Sequence, residues 1–449
     1  MSRRTILIVL AIGALALPVG RAEGRTSAAE IEEKVHELAA GRGALWPGFD
    51  PLEIPLAVYD GSRTYLFRHP SPGKDFARID ANTVVMSGRH ASVSANTSAD
   101  IDGVPTATLM VDRGASDRPA DELAAVALHE SFHVFQRSHH KTWSANEGDL
   151  LLYPTDDGHL LELRREETEA LRRALATKSR TETECWAGNA LEFRKQRFAA
   201  MDSAFVKYER GAELNEGLAA YVQLYSLTRA VEFPKDEFGA EAVRERVYTV
   251  GPAWAYLLDR VDPQWKDALE KNDRQYLDMM LRERLGKTDC VTFTPEERSA
   301  FAAGAKRDAS AVAQGRRDKR KQFDAQPGYR IIIETDAQHP LWPQQFDPSN
   351  LQRVDDGLLH TRWVVLGNDW GKMEALDGNK ADIAVLTEGP GPHPLFNGVT
   401  RATVVTRDKP SVNIWGEHRV EVKAAGFSIK VEHADIDQRE RSVYIQLGK

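Results

Sequence analysis

The sequence reads as an α+β chain: a small sheet, a mainly helical stretch, and a C-terminal β-rich domain best described as sandwich-like. Three observations predict this. Residues 53–112 contain short apolar runs, IPLAVYD, TYLFRH, NTVVMSG and TATLMVD, broken by Gly, Pro and Asp, which is how short strands and turns look. From about residue 120 to 323 the apolar residues recur at helical spacing. After the basic stretch GRRDKRKQFDAQPG the pattern changes to eight strand-like runs, from RIIIET to SVYIQLG. A chain of 449 residues is long enough for two or three domains. The expected boundaries are 1–22, 23–323 and 324–449.

The opening residues, MSRRTILIVLAIGALALPVGRAEG, place Arg3 and Arg4 before an apolar run from Ile6 to Leu17, with the small Ala22 available for cleavage. This is the pattern of a secretory signal peptide, so an exported protein, periplasmic or extracellular, is expected. The apolar run is too short for a confident membrane span, and no stable span is expected once it is removed. Residues 24–50 then contain a short amphipathic helix, SAAEIEEKVHELAAG. The net charge of −8 and pI near 6.0 argue against nucleic acid, which calls for a basic face.

The most informative segment is ADELAAVALHESFHVFQRSH. Leu123, Val126, Ala127, Leu128, Phe132 and Phe135 give it enough apolar surface to be a core helix, with Asp117 or Asp121 as possible caps. Within it, HESFH spells H-E-x-x-H. Side chains four apart on a helix share a face, so His129 and His133 can offer two imidazole nitrogens to a single zinc ion. Glu130 projects beside them as a general base for a zinc-activated water. The competing reading is a helix with two hydrogen-bonded histidines and no metal.

A catalytic zinc usually takes three protein ligands. One candidate for the third is Glu216, in the helix-like segment ERGAELNEGLAAYVQLYSL, where Gly217, Ala219 and Ala220 would allow close approach of another helix. The other is His139, at the position of the third histidine in the metzincin pattern H-E-x-x-H-x-x-G-x-x-H. The glycine of that pattern is Gln136 here, and glutamine adopts the left-handed turn poorly.

H-E-x-x-H followed by L-N-E-G-L-A-A-Y resembles the gluzincin clan of zinc metallopeptidases, and within it the aminopeptidase N-like pattern. The resemblance implies a zincin-like catalytic domain with His129, His133 and Glu216 as metal ligands, Glu130 as general base, Zn2+ as cofactor, and a peptide or protein as substrate. It covers about a tenth of the chain. Two features depart from it. Glu216 lies 83 residues beyond His133, a longer interval than in those aminopeptidases. The G-x-M-E-N segment that grips a substrate's amino terminus is absent upstream, which favours an endopeptidase. The resemblance also implies an edge strand that takes an extended peptide, for which PTATLMVD is the nearest strand in sequence.

The charged runs between the two zinc segments, HLLELRREETEALRRALAT and TECWAGNALEFRKQRFAAM, read as an inserted helical hairpin with solvated surfaces. A buried helix is expected at Gly251–Val261, just after Tyr248. Tyr208, Tyr221, Tyr225 and Tyr248 all qualify by type to steady an oxyanion. Cys185 and Cys290 have no metal-ligand spacing; in an exported protein they form either one disulfide or two free thiols. The C-terminal domain carries no catalytic cluster. Two other functions fit the sequence: a non-catalytic exported binding protein with a structural or degenerate zinc site, and a zinc hydrolase of non-peptide substrates. A purely structural site would not need Glu130. Oligomeric state is not indicated.

Overall fold

The computed structural model of the protein describes residues 26–41, 43–111, 117–286, 290, 292–347, 350–376, 384–391, 393, 395–416 and 418–448. The stretch read as a signal peptide lies outside these residues. Chain contacts divide the described residues into two compact units, one of 26–150 and 157–306, the other of 151–156 and 307–448.

The first unit opens with α1 (Ala28–Ala40), started by a capping box in which Ser27 and Glu30 satisfy each other's backbone N–H groups. Six strands follow: β1 (Leu56–Tyr59), β2 (Arg63–Phe67), β3 (Ala77–Arg78), β4 (Thr83–Ser87), β5 (Thr97–Ile101) and β6 (Val104–Met110). They form one sheet in the order β3-β4-β2-β1-β6-β5. Only β1 and β6 pair in parallel; the other neighbours are antiparallel. The segment PTATLMVD is therefore an inner strand, bonded to β1 on one side and β5 on the other. The outer strand on that side is β5, which the sequence pattern missed because Thr97, Ser98 and Asp100 hide its alternation.

The helices of this unit are α2 (Ala120–His139), α3 (Glu147–Leu150), α4 (Gly158–Ala176), α5 (Arg180–Ala199), α6 (Ser203–Ala212), α7 (Leu218–Ser226), α8 (Val243–Val261), α9 (Trp265–Lys271) and α10 (Leu277–Arg284). The unit boundary falls within α11 (Pro295–Ala325). Helix α2 starts after Pro119 with no side-chain cap, so neither Asp117 nor Asp121 caps it. It is sandwiched by α1, α7 and the β5–β6 end of the sheet. Trp46, fully buried, meets Phe132, Trp143, Tyr221 and Trp265 edge-on with centroids 5.3–6.4 Å apart, and so ties α2, α7 and α9 into one core. The structure joins Cys185 to Cys290, Cα atoms 5.4 Å apart.

Helices α4 and α5 form the expected hairpin, but its charged side chains are not all solvated. Glu167, Arg194 and Arg197 are fully buried with Glu209, Glu213 and Arg246. Arg197 bonds Glu167 at 2.7 Å and also Glu209, while Arg194 bonds Glu213 and Arg246 forms an ion pair with Glu167. Burial opposes the Glu167 carboxylate, but Arg197, Arg246 and Arg194 outweigh it and hold the group well below its usual range. Sequence periodicity marks such runs as surface because a lone buried charge is prohibitive. Here each charge has an opposite partner on a neighbouring helix.

The second unit is the β-rich domain. Its strands are β7 (Tyr329–Glu334), β8 (Trp342–Phe346), β9 (Leu351–Arg353), β10 (Leu358–His360), β11 (Trp363–Asn368), β12 (Gly371–Leu376), β13 (Ala384–Glu388), β14 (Arg401–Thr406), β15 (Ser411–Trp415), β16 (Arg419–Ala424), β17 (Phe427–Val431), β18 (Ala434–Gln438) and β19 (Ser442–Leu447). They form two sheets, β18-β19-β7-β14-β13-β10-β9 and β15-β16-β17-β12-β11-β8. Ile331, Ile333 and Val404 of the first sheet share a core with Leu366, Met373, Val422 and Ile429 of the second, as in a sandwich.

Candidate metal centre

One turn of α2 presents His129, Glu130 and His133 towards the helix pair that follows α6. The two imidazoles meet edge-on, ring centroids 4.8 Å apart, and their Nε2 atoms stand 3.1 Å from each other. Glu216 Oε2 completes a triangle, 3.6 Å from His129 Nε2 and 3.2 Å from His133 Nε2. Among the described residues this is the one His/Cys/Asp/Glu group able to hold a metal ion.

Glu216 reaches this point from an unusual backbone. Residues Glu213–Gly217 form a π-helical turn between α6 and α7, and such turns re-aim side chains by inserting an extra residue into the helical ladder. The turn is held from behind by the buried Arg194–Glu213 pair. In front, Gly217 meets Gly251 of α8 with no side chain between them. That contact places Arg244 and Tyr248, two turns and one turn earlier on the same face of α8, against the two oxygens of Glu216. Arg244 donates to Oε1 at 2.6 Å and the Tyr248 hydroxyl to Oε2 at 2.8 Å.

Gln136 fixes the state of His133. Its Nε2 donates to the carbonyls of Leu214 and Asn215 at 2.9 and 3.0 Å, so its Oε1 must accept from His133 Nδ1, 2.8 Å away. His133 therefore carries its proton on Nδ1 when neutral, and its Nε2 lone pair faces His129 and Glu216. Three lone-pair-bearing atoms within 3.6 Å of one another repel unless a cation or a shared proton lies among them.

The charges follow this geometry. Burial opposes the Glu216 carboxylate, yet His133, His129 and Arg244 hold it well below its usual range. Burial also opposes charge on His133, but Glu216 and Glu130 raise its pKa above the ordinary histidine value. Glu130 is fully buried, and among the described residues neither of its oxygens has a hydrogen-bond partner. Burial raises its pKa, with His129 and His133 pulling the other way. A buried carboxylate without such a partner is costly, and a perturbed titratable group of this kind beside two imidazoles marks a candidate functional site.

His139 lies elsewhere. It is exposed at the end of α2, stacked on Phe135 with its Nδ1 near the Phe135 carbonyl and Ser138. Of the four tyrosines considered, Tyr248 is at the cluster, and its ring stacks on His129. Tyr208 bonds Glu147, Tyr221 bonds Asp259, and Tyr225 stacks on Tyr221. Helix α8 begins at Val243, not at Gly251. Gly251-Pro252 resembles a break in sequence, yet both residues lie inside the helix. Arg244 and Gln136 are site residues that the pattern alone did not select. The clue to Arg244 was its spacing, Arg244-x3-Tyr248-x2-Gly251, one face of a helix.

No protein-family model, no curated protein and no solved structure matches this chain.

Proposed function

We propose that this protein is an exported, zinc-dependent peptidase of the gluzincin type, with His129, His133 and Glu216 as the metal ligands and Glu130 as the general base. One observation carries this reading. Ligand atoms about 2.1 Å from a tetrahedral ion stand roughly 3.4 Å apart, and the three Nε2 and Oε2 atoms are separated by 3.1, 3.2 and 3.6 Å. The donor set, two imidazoles and a carboxylate, is the one catalytic zinc sites use when a fourth position stays open.

When bound, zinc would supply Lewis acidity, polarising a scissile carbonyl and making a nearby water easier to deprotonate. Glu130, whose oxygens have no hydrogen-bond partner among the described residues and whose pKa is raised by burial, is suited to take that water's proton and pass it to the leaving amine. The Tyr248 hydroxyl, at the edge of the ligand triangle, is placed to donate to the oxygen on which charge develops. Arg244 keeps Glu216 Oε1 engaged and leaves Oε2 facing the imidazoles. Strand β5 is the outer strand beside α2, where Arg137, one turn beyond His133, bonds the Ser98 carbonyl at 2.9 Å. An end strand is where an extended peptide could add to the sheet, although the Ser98 carbonyl of β5 is already taken by Arg137.

The deciding experiment is Glu130→Gln in a peptide-library cleavage assay with zinc content measured in parallel. The variant should keep its zinc and lose about 10²–10⁴-fold in turnover. Equal turnover in both proteins would remove Glu130 from the mechanism. Zinc bound with no cleavage by either protein would favour a structural site.

A further inference from the structure

Arg244 occupies a position that no metal ligand explains. Its guanidinium lies between two carboxylates, with Nη2 on Glu216 Oε1 at 2.6 Å and Nη1 on Glu147 Oε1. Glu147 is in turn bonded through its other oxygen by the Tyr208 hydroxyl at 3.3 Å. The residues come from α3, α6, the π-helical turn and α8, and most of each side chain is out of solvent. Arg244 and Tyr248, four apart on α8, grip opposite oxygens of the same carboxylate.

We propose that Arg244 is the positioning residue of this site: it presets the Glu216 carboxylate before the metal arrives, with Glu147 and Tyr208 holding the arginine in place. The inference rests on the metal reading given above. A glutamate on its own rotates about its terminal torsion and can turn either oxygen, or both, towards a cation. With Oε1 held by a charge-assisted hydrogen bond, only Oε2 faces the two imidazoles, so the carboxylate binds through one oxygen and little rotamer freedom is lost on binding. Such outer partners orient ligating groups and typically carry about 10–100-fold in metal affinity or activity. Arginine suits this role because its planar fork serves two carboxylates at once; the lysine ammonium is a point charge that would favour one of them. The same arrangement sets an order of dependence: Glu147 influences the metal only through Arg244.

The test is zinc affinity, measured by competition with a chromophoric chelator at fixed pH, for wild type, R244M, R244K, E147Q and the R244M/E147Q double variant, with His129→Ala alongside. The visible spectrum of the cobalt-substituted proteins gives a readout of ligand geometry that is independent of turnover. R244M should weaken zinc binding by about 10–100-fold and alter the cobalt spectrum, R244K and E147Q should each fall between R244M and wild type, and E147Q should add little in the R244M background. Folded R244M that binds zinc within a factor of about three of wild type, with an unchanged cobalt spectrum, would overturn the inference while leaving the metal reading intact. If R244M does not fold, R244K and E147Q decide by the same criteria: wild-type affinity and spectrum in both would overturn it. Undiminished zinc binding by His129→Ala would remove the metal reading itself, and this inference with it.

Discussion

Gly217, the residue after Glu216, packs backbone to backbone against Gly251 of α8: a Cβ built on Gly217 would stand 2.8 Å from Gly251 Cα, and one built on Gly251 would stand 2.4 Å from Gly217 Cα. No side chain fits there without moving one of the two segments. Gly251→Ala should therefore cost about 1–3 kcal/mol of stability by overpacking, read from urea unfolding. It should also weaken zinc binding, because the shift carries Arg244 and Tyr248 away from Glu216. Wild-type stability together with wild-type zinc affinity would show that the close approach does not position the site.

Gln136 stands where the metzincin pattern has glycine, and it orients His133 through its amide oxygen while bonding the Leu214 and Asn215 carbonyls. Gln136→Leu keeps the size and removes these bonds. Zinc affinity, measured by chelator competition, is expected to fall by about 10–100-fold. Unchanged affinity would mean that His133 is held by packing alone.

The buried ion network behind the π-helical turn is a stability element. Arg197→Met would leave Glu167 and Glu209 as buried carboxylates short of a cation, which typically costs about 3–5 kcal/mol. Urea denaturation of the full chain measures this, and a loss below about 1 kcal/mol would show that the remaining arginines compensate.

His360 in the β-rich unit is buried and neutral, with burial pushing its pKa down to about 3; its Nε2 lies 3.1 Å from Thr387 Oγ1. An unfolded chain protonates histidine near pH 6.5, so between about 6.5 and 3 the unfolded state holds the extra proton. Its contribution is complete above about 6.5 and is lost as pH falls towards 3, by up to about 1.4 kcal/mol per pH unit. Replacing His360 with Gln should flatten the acid side of the unfolding profile of this unit. An unchanged slope would show that other groups control it.

Much of the architecture was legible in sequence because the strongest patterns are local. The H-E-x-x-H turn announces its geometry by the four-residue spacing alone, and each of the eight C-terminal apolar runs has a strand at its position. Of the strands that were missed, β5, β8, β15 and β18 carry Asp, Gln or Asn on exposed positions, so polarity conceals their alternation, while β3, β9 and β10 span only two or three residues, too few for a pattern. Glu216 stood in the sequence as one of two candidate third ligands and the resemblance singled it out, but nothing in a single glutamate's surroundings announces a π-helical turn. Arg244 and Glu147 were illegible for a different reason: they are 97 residues apart and meet only through tertiary packing. The buried charges of α4 and α5 escaped notice because complementary partners on other helices cannot be read from one helix's periodicity.

The central claim is that His129, His133 and Glu216 together hold one metal ion, and the most direct measurement is the metal-to-protein ratio of purified wild type and Glu216→Ala after equilibration with limiting free zinc. The arrangement predicts one zinc per wild-type chain and almost none in Glu216→Ala, because two imidazoles without the carboxylate bind far more weakly. A wild-type protein that takes up no metal, or a Glu216→Ala variant that keeps a full equivalent, would contradict it.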